Sequence, residues 1–254
     1  MKQLNILISN DDGVYAEGID VLYRTLKECG HRVTVVAPDR NQSAASHSLT
    51  LEYPLRTQEI NREDFIAVKG TPTDSVYLAV NSLLSAKPDM VISGINNGAN
   101  LCDDVIYSGT VAAAVEGRNL GLPAIAVSLC GSRHYDTAAA IVRTIVSRIH
   151  ECPVPSDRIL NINVPDLPVD KIKGVRVTRL GRRQSSESVV EEKDLRGNRI
   201  YWIGPQADAL DKAEDTDIYA VSEGYVSITP LHIDLTAYQV LDDLTGWIEK
   251  VYYL

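Results

Sequence analysis

The sequence predicts an α/β protein with a Rossmann-like three-layer fold: a mostly parallel sheet between helices, plus a projecting β-hairpin arm and a C-terminal helix. Three observations carry this. Short apolar runs of strand length alternate with segments of helical periodicity through the first two thirds of the chain. The first run, Ile6-Leu7-Ile8, is apolar throughout, as a strand covered on both faces must be. The runs end in polar turns, which a parallel sheet gathers on one edge.

Taken in order, Ile6 to Ile8 runs into Ser9-Asn10-Asp11-Asp12-Gly13. Ile19, Leu22, Tyr23 and Leu26 then mark one face of a helix, with Gly30 as its stop. Arg32 to Ala37 is a second strand, ending in the polar loop Pro38 to Ser43. Ser48 to Leu51 and Phe65 to Val68 are read as a peripheral hairpin. Thr71-Pro72-Thr73-Asp74 opens a helix: Thr71 suits the N-cap, Pro72 the first helical position, and Asp74 the positive helix end. Val76, Ala79, Val80 and Leu83 form its buried face.

Met90-Val91-Ile92 is the next strand, broken at Ser93 to Asn100. Ser108-Gly109-Thr110 precedes a helix over Val111 to Asn119, and Ala124 to Leu129 is another buried strand. Asp136 is expected to cap a helix reaching His150, and Ile159 to Val164 is a further strand. Regularity breaks near Leu180. Residues 181–217 are polar and charge-rich and hold one hairpin strand, Arg199 to Ile203; they read as an arm, because Tyr201, Trp202 and Ile203 want burial. Tyr225 to Thr229 and a helix from about Tyr238 to Tyr252 return the pattern. The expected organisation is a single domain over 1–254, with 181–217 an oligomerisation arm and 225–254 returning C-terminal elements.

Composition narrows the function. The 254 residues suffice for a sizeable core, and 44% hydrophobic with 23% charged residues is ordinary for a globular protein. Net charge is −9, from 25 basic and 34 acidic residues, with no basic block. That argues against a nucleic-acid polymer or an anionic membrane as partner, though not against a small anion held through a metal. No run approaches the roughly 20 apolar residues of a membrane span, and the N-terminus leads directly into a strand, so no signal peptide is expected. Cys29, Cys102, Cys130 and Cys152 are scattered without CxxC spacing, which suggests reduced thiols and a cytoplasmic location.

Three strand-end loops then converge: Asn10-Asp11-Asp12, Asn41 with Ser43, and Asn96 with Asn100. Two adjacent carboxylates at a buried edge repel unless a cation lies between them or one keeps its proton. The donors are all oxygen, which suits Mg²⁺, Mn²⁺ or Ca²⁺ and not zinc. Ser108-Gly109-Thr110 adds hydroxyls and free N–H groups at a helix N-terminus, a ready anion site. A cation beside an anion cradle is what phosphoester chemistry needs. Plainer readings stand beside these: Asn-Asp-Asp-Gly is good turn chemistry, and Ser108 or Thr110 alone is an N-cap. His47 reads as a loop residue, Asp103 and Asp104 as an exposed acidic turn, and Ala112 to Ala114 as close helix packing.

These motifs add up to a pattern. SNDDG, APDRNQSA, GTPTD and SGINNGAN followed by DDVIYSGTVAAAVEG resemble the survival protein E (stationary-phase survival) family of metal-dependent nucleotidases. NINVPDLP and GYVSITPLHIDLT extend the resemblance over almost the whole chain. It implies one divalent cation, Mg²⁺ or Mn²⁺, on Asp11, Asp12, Ser43 and Asn96. It implies hydrolysis of nucleoside 5′- and 3′-monophosphates, extending to short polyphosphate, and a homodimer or homotetramer with exchanged C-terminal elements. One departure is Cys102, where family members commonly carry glycine; a residue with a β-carbon must find an allowed φ there.

The reading is therefore a phosphomonoesterase using a metal-activated water. Asp11 and Asp12 are central, and Asn10, Asn100, Ser108, Gly109 and Thr110 position the phosphate. One rival is attack by Asp11 or Asp12 on phosphorus, but such phosphatases carry Asp-x-Asp where this chain has adjacent carboxylates. The other is a non-catalytic nucleotide-binding sensor, although a G-x-G-x-x-G fingerprint is absent after the first strand.

Overall fold

Apolar runs buried on both sides build the centre of the sheet. The computed structural model describes residues 2–183, 189–203 and 209–252. β1 (Asn5–Ser9) lies between β2 (Arg32–Pro38) and β5 (Met90–Asn97), with Ile6 opposite Val33 on one side and Met90 on the other. β3 (Thr57–Glu59) and β4 (Phe65–Val68) extend the sheet beyond β2. On the other side follow β6 (Ala124–Cys130), β7 (Ile159–Pro165), β13 (Val226–Leu231) and β8 (Val175–Val177). The order among these described strands is β3-β4-β2-β1-β5-β6-β7-β13-β8. From β4 to β7 all neighbours are parallel; β3 pairs antiparallel with β4, and β13 with β7.

Helices cover both faces. Ile6 and Ile8 pack with Ile19, Leu22 and Leu26 of α1 (Glu17–Glu28) and with Val142 and Val146 of α4 (Tyr135–Ser147). Leu7 points the other way, to Val76 of α2 (Pro72–Leu78) and Ala113 of α3 (Gly109–Glu116). Each fully buried side chain of this size contributes about 1.5–3 kcal/mol, so β1 gains from both layers. The three-layer, mostly parallel α/β expectation is met.

Local chemistry sets the helix starts. Thr71 and Asp74 form a reciprocal capping box at α2, and Gly30 takes a φ of +84° just after α1, the left-handed stop that glycine permits.

Several boundaries differ from expectation. Ser48 to Leu51 is not a strand: the N–H and hydroxyl of Thr50 both donate to the buried carboxylate of Asp74, and Thr57–Glu59 pairs with β4 instead. Asp136 does not cap α4 but lies within its first turn. The loop into α4 is held by Asp166, which accepts from the N–H groups of Ser132, Arg133 and His134. That helix ends at Ser147, followed by a tight turn over Ile149–Glu151, and α3 ends at Glu116, short of Asn119.

The expected arm holds more strand than one. β10 (Val189–Lys193) pairs antiparallel with β11 (Arg199–Ile203), and β9 (Arg182–Arg183) with β12 (Ala209–Asp211). Its residues 184–188 and 204–208 lie outside the described ones. Asp217, placed at the arm's end by the sequence, is fully buried and begins the short helix α5 (Asp217–Ser222). The chain closes with α6 (Leu241–Tyr252), on which Leu241, Leu244, Trp247 and Val251 are exposed. Among the described residues no helix is long and apolar enough to cross a membrane.

Candidate active site

The connections after β1 and β5 leave for opposite faces, one into α1 and the other towards α3. Between such neighbours an open α/β sheet has its crevice, at the carboxyl ends of the strands. Asp11 and Asp12 sit there. Asn10 shapes the turn that presents them: its side-chain nitrogen donates to the Gly13 carbonyl at 3.0 Å and its oxygen accepts from the Gly13 N–H at 3.1 Å. Both functional atoms of Asn10 thus serve the turn. Gly13 takes a φ of +102°, and a β-carbon there would lie 3.0 Å from the Arg40 backbone.

Three other loops are stitched to this pair. The Gln42 N–H donates to the Asp11 carbonyl at 2.8 Å, which brings the Ser43 loop alongside. The Asn97 N–H donates to Asp12 Oδ2 at 2.9 Å, where a register shift between Ser93 and Asn96 interrupts the pairing of β5 with β6. The Thr110 hydroxyl donates to Asp11 Oδ1 at 2.5 Å. Gly109 completes the approach: a β-carbon on it would stand 2.7 Å from Asp11 Cβ.

Burial and the neighbouring Asp12 charge oppose ionisation of Asp11, the Thr110 hydrogen bond favours it, and the balance raises its pKa to about 6. Burial also raises Asp12, against the Asn97 N–H. A cation would relieve both.

The donor atoms fit such an ion. Asp12 spends Oδ2 on Asn97 and retains Oδ1. Asn96 spends its amide nitrogen on the Gly98 carbonyl, which leaves its side-chain oxygen. Exposed Ser43 gives its proton to Asn41 Oδ1 at 2.6 Å, which leaves its lone pairs. The donors left at this set are carboxylate, amide and hydroxyl oxygens, which suit a hard ion.

Ser108 is the N-cap of α3, its hydroxyl oxygen accepting from the Val111 N–H at 3.0 Å; its own proton is left to donate. The N–H groups of the first helical turn have no partner within the helix. Thr110 directs its hydroxyl and N–H at Asp11, and Gly109 keeps an N–H at the helix end. An anion at α3 and a cation at Asp11-Asp12 would therefore be neighbours.

The family model described as survival protein SurE matches residues 6–187. The chain belongs to the SurE family. It is 58% identical over 248 residues to a protein of Klebsiella pneumoniae (strain 342) named 5'/3'-nucleotidase SurE, covering 98% of each chain. It is 58% identical over 251 residues to 5'-nucleotidase SurE of Aeromonas hydrophila, covering 97% of this chain and 99% of that one. The crystal structure of the SurE protein from Aquifex aeolicus shares 44% identity and a TM-score of 0.83, covering 96% of this chain and 99% of that one.

Within this SurE fold, sequence reasoning missed the frame around Asn100. Its N–H donates to Asn163 Oδ1, its side-chain nitrogen to the Ser128 hydroxyl, and its carbonyl accepts from the side chains of Asn161 and Asn163. Asn100 is thus a buried anchor of the loop, with only its side-chain oxygen uncommitted. Two asparagines alternating in the otherwise apolar strand Ile159 to Val164 were the available signal. Cys102 adopts a left-handed φ of +58° and is buried. Of the expected exposed acidic turn, Asp103 is exposed and Asp104 half-buried, and both are engaged. Asp104 is ion-paired with Arg183 and Asp103 Oδ1 accepts from the Arg183 N–H, because the arm base folds onto them. His47 contacts Glu116 at 2.9 Å in an exposed pair, and Ala112 to Ala114 are buried in helix packing as expected.

Proposed function

We propose that the chain is a divalent-metal-dependent phosphomonoesterase that hydrolyses nucleoside 5′- and 3′-monophosphates to nucleoside and phosphate. The observation that carries this is the Asp11-Asp12 pair held against the N-terminal turn of α3 through Thr110 and Gly109. The substrate class comes from the names of close relatives over nearly their full length.

In this reading Asp11, Asp12, Ser43 and Asn96 hold one Mg²⁺ or Mn²⁺. When bound, the ion neutralises charge on phosphate oxygens and lowers the pKa of water. Ser108 and the Gly109 N–H receive the phosphate, Thr110 keeps Asp11 in place, and Asn10 and Asn100 hold the two loops. Phosphoryl transfer asks mainly for positioning and charge stabilisation, and these residues supply both. Short polyphosphate presents the same terminal phosphate and is a further substrate in this reading. Exposed Tyr201, Trp202 and Ile203 on the arm, with the apolar face of α6, support a homodimer or homotetramer. Four free cysteines accord with a cytoplasmic location.

Phosphate release from a panel of nucleoside monophosphates tests the reading. EDTA should abolish release, and Mg²⁺ or Mn²⁺ should restore it. Full activity under chelation would reject the metal, and binding without turnover would favour the sensor.

A further inference from the structure

Asp217 is fully buried. It accepts three backbone N–H groups: Cys102 at 2.7 Å on Oδ2, and Gly181 at 2.9 Å and Ile218 at 2.8 Å on Oδ1. Cys102 lies on the loop that leads from Asn96 to Ser108, Gly181 begins the arm, and Ile218 belongs to α5. One carboxylate therefore joins three segments that are far apart in sequence.

Two other features show how closely these segments are matched. Cys102 is held at a φ of +58°, a conformation that is unfavourable for an L residue, and its N–H is the group that Asp217 engages. Gly181 is closely surrounded: a β-carbon would stand 3.0 Å from Cys102 Sγ and 3.2 Å from the Asp211 carbonyl, so these neighbours would have to give by a few tenths of an ångström. Next to it, Arg183 grips Asp103 and Asp104, the residues that follow Cys102.

We propose that Asp217 is a positioning residue for the hydrolytic site, fixing the loop of residues 96–108 against the base of the arm so that Asn96 and Ser108 meet Asp11 and Asp12 in register. This rests on the function proposed above. A carboxylate suits the task because it accepts on both oxygens, whereas an amide of the same shape accepts on one only.

That difference gives the test. In Asp217→Asn the side-chain oxygen can keep Gly181 and Ile218, while the new NH₂ opposes the Cys102 N–H. The damage is confined to the loop. Loss of a hydrogen bond to a charged group corresponds to about tenfold to a hundredfold. We expect kcat on a nucleoside monophosphate to fall by that factor with KM within about threefold. Amide exchange should quicken over 98–106 while α5 and the sheet stay protected, and Mn²⁺ should bind more weakly in a titration read by its electron paramagnetic resonance. Gly181→Ala, whose β-carbon presses on Cys102 Sγ and the Asp211 carbonyl while the carboxylate stays, should reproduce the kcat loss and serves if Asp217→Asn does not fold. Unchanged kcat in both variants overturns the proposal, as does exchange that quickens equally throughout the protein. If the parent itself releases no phosphate, the function is wrong; loop exchange and Mn²⁺ binding then decide the positioning role alone.

Discussion

Thr110, in the first turn of α3, donates its hydroxyl to Asp11 Oδ1 at 2.5 Å across 99 positions of sequence. The bond opposes the burial that pushes Asp11 towards its neutral form. Thr110→Val keeps the shape and removes the donor. Stranding a buried carboxylate in this way costs about 1–3 kcal/mol, so the melting temperature should fall, and phosphate release with it by at least about tenfold. Thr110→Ser should retain most of both. Full activity in the valine variant would remove this bond from the machinery.

Asp12→Asn tests the carboxylate pair. The amide oxygen can still accept from Asn97, so the turn survives, but one charge is gone. Activity should fall by orders of magnitude, and added Mg²⁺ or Mn²⁺ should raise the melting temperature of the parent far more than that of the variant. Without metal the sign reverses. Asp11 titrates near 6 in the folded chain against an ordinary value of 3.8, so the fold binds more protons than the unfolded chain between those values. This contribution is present below about pH 4 and is lost as pH rises through 6. Metal-free Asp12→Asn should therefore melt no lower than the parent at pH 7. A lower melting temperature with an intact metal response would make the pair a structural turn.

Asp166 predicts the opposite pH dependence elsewhere. Burial raises its pKa, but hydrogen bonds from the His134 ring and from the N–H groups of His134, Ser132 and Arg133 outweigh it and hold the group at about 2. The folded value lies below the ordinary one, so the stabilisation is complete above about pH 4 and lost as pH falls towards 2. Melting curves of the parent and Asp166→Asn should differ at pH 6 and converge near pH 2. A constant difference across that range would contradict the assignment.

Deleting Val189–Ile203 and closing the gap with a short glycine-serine linker should alter assembly and spare the site. The cut leaves the pairing of Arg182–Arg183 with Ala209–Asp211 and the grip of Arg183 on Asp104 in place. Light scattering should give the parent a multiple of the 27.9 kDa chain mass and the deletion variant a smaller assembly, while the metal-induced melting shift is kept. A monomeric parent would reject the interface role of the arm.

Much of the architecture was legible in the sequence because burial leaves a local trace. The apolar runs of β1, β2, β5, β6 and β7 stand out since each is covered on both faces, and the box at Thr71 and Asp74 is written within four residues. The strand Thr57–Glu59 escaped notice because it is an exposed edge with no apolar pattern. The rejected strand Ser48 to Leu51 looked plausible only until Asp74 claimed the Thr50 N–H.

By itself the sequence determined the α/β class, the shared edge of the strand-end loops, the adjacent carboxylates and the hydroxyl-bearing helix start. Only the tertiary structure decided what each polar atom does there. Asn10 and Asn100 are committed to their loops, Thr110 is turned onto Asp11, and Asp217 reaches back 115 positions to Cys102. Residue type and periodicity report how much water a side chain sees. A buried hydrogen bond depends instead on which distant backbone comes within about 3 Å, and that is settled by the packing of all the layers together.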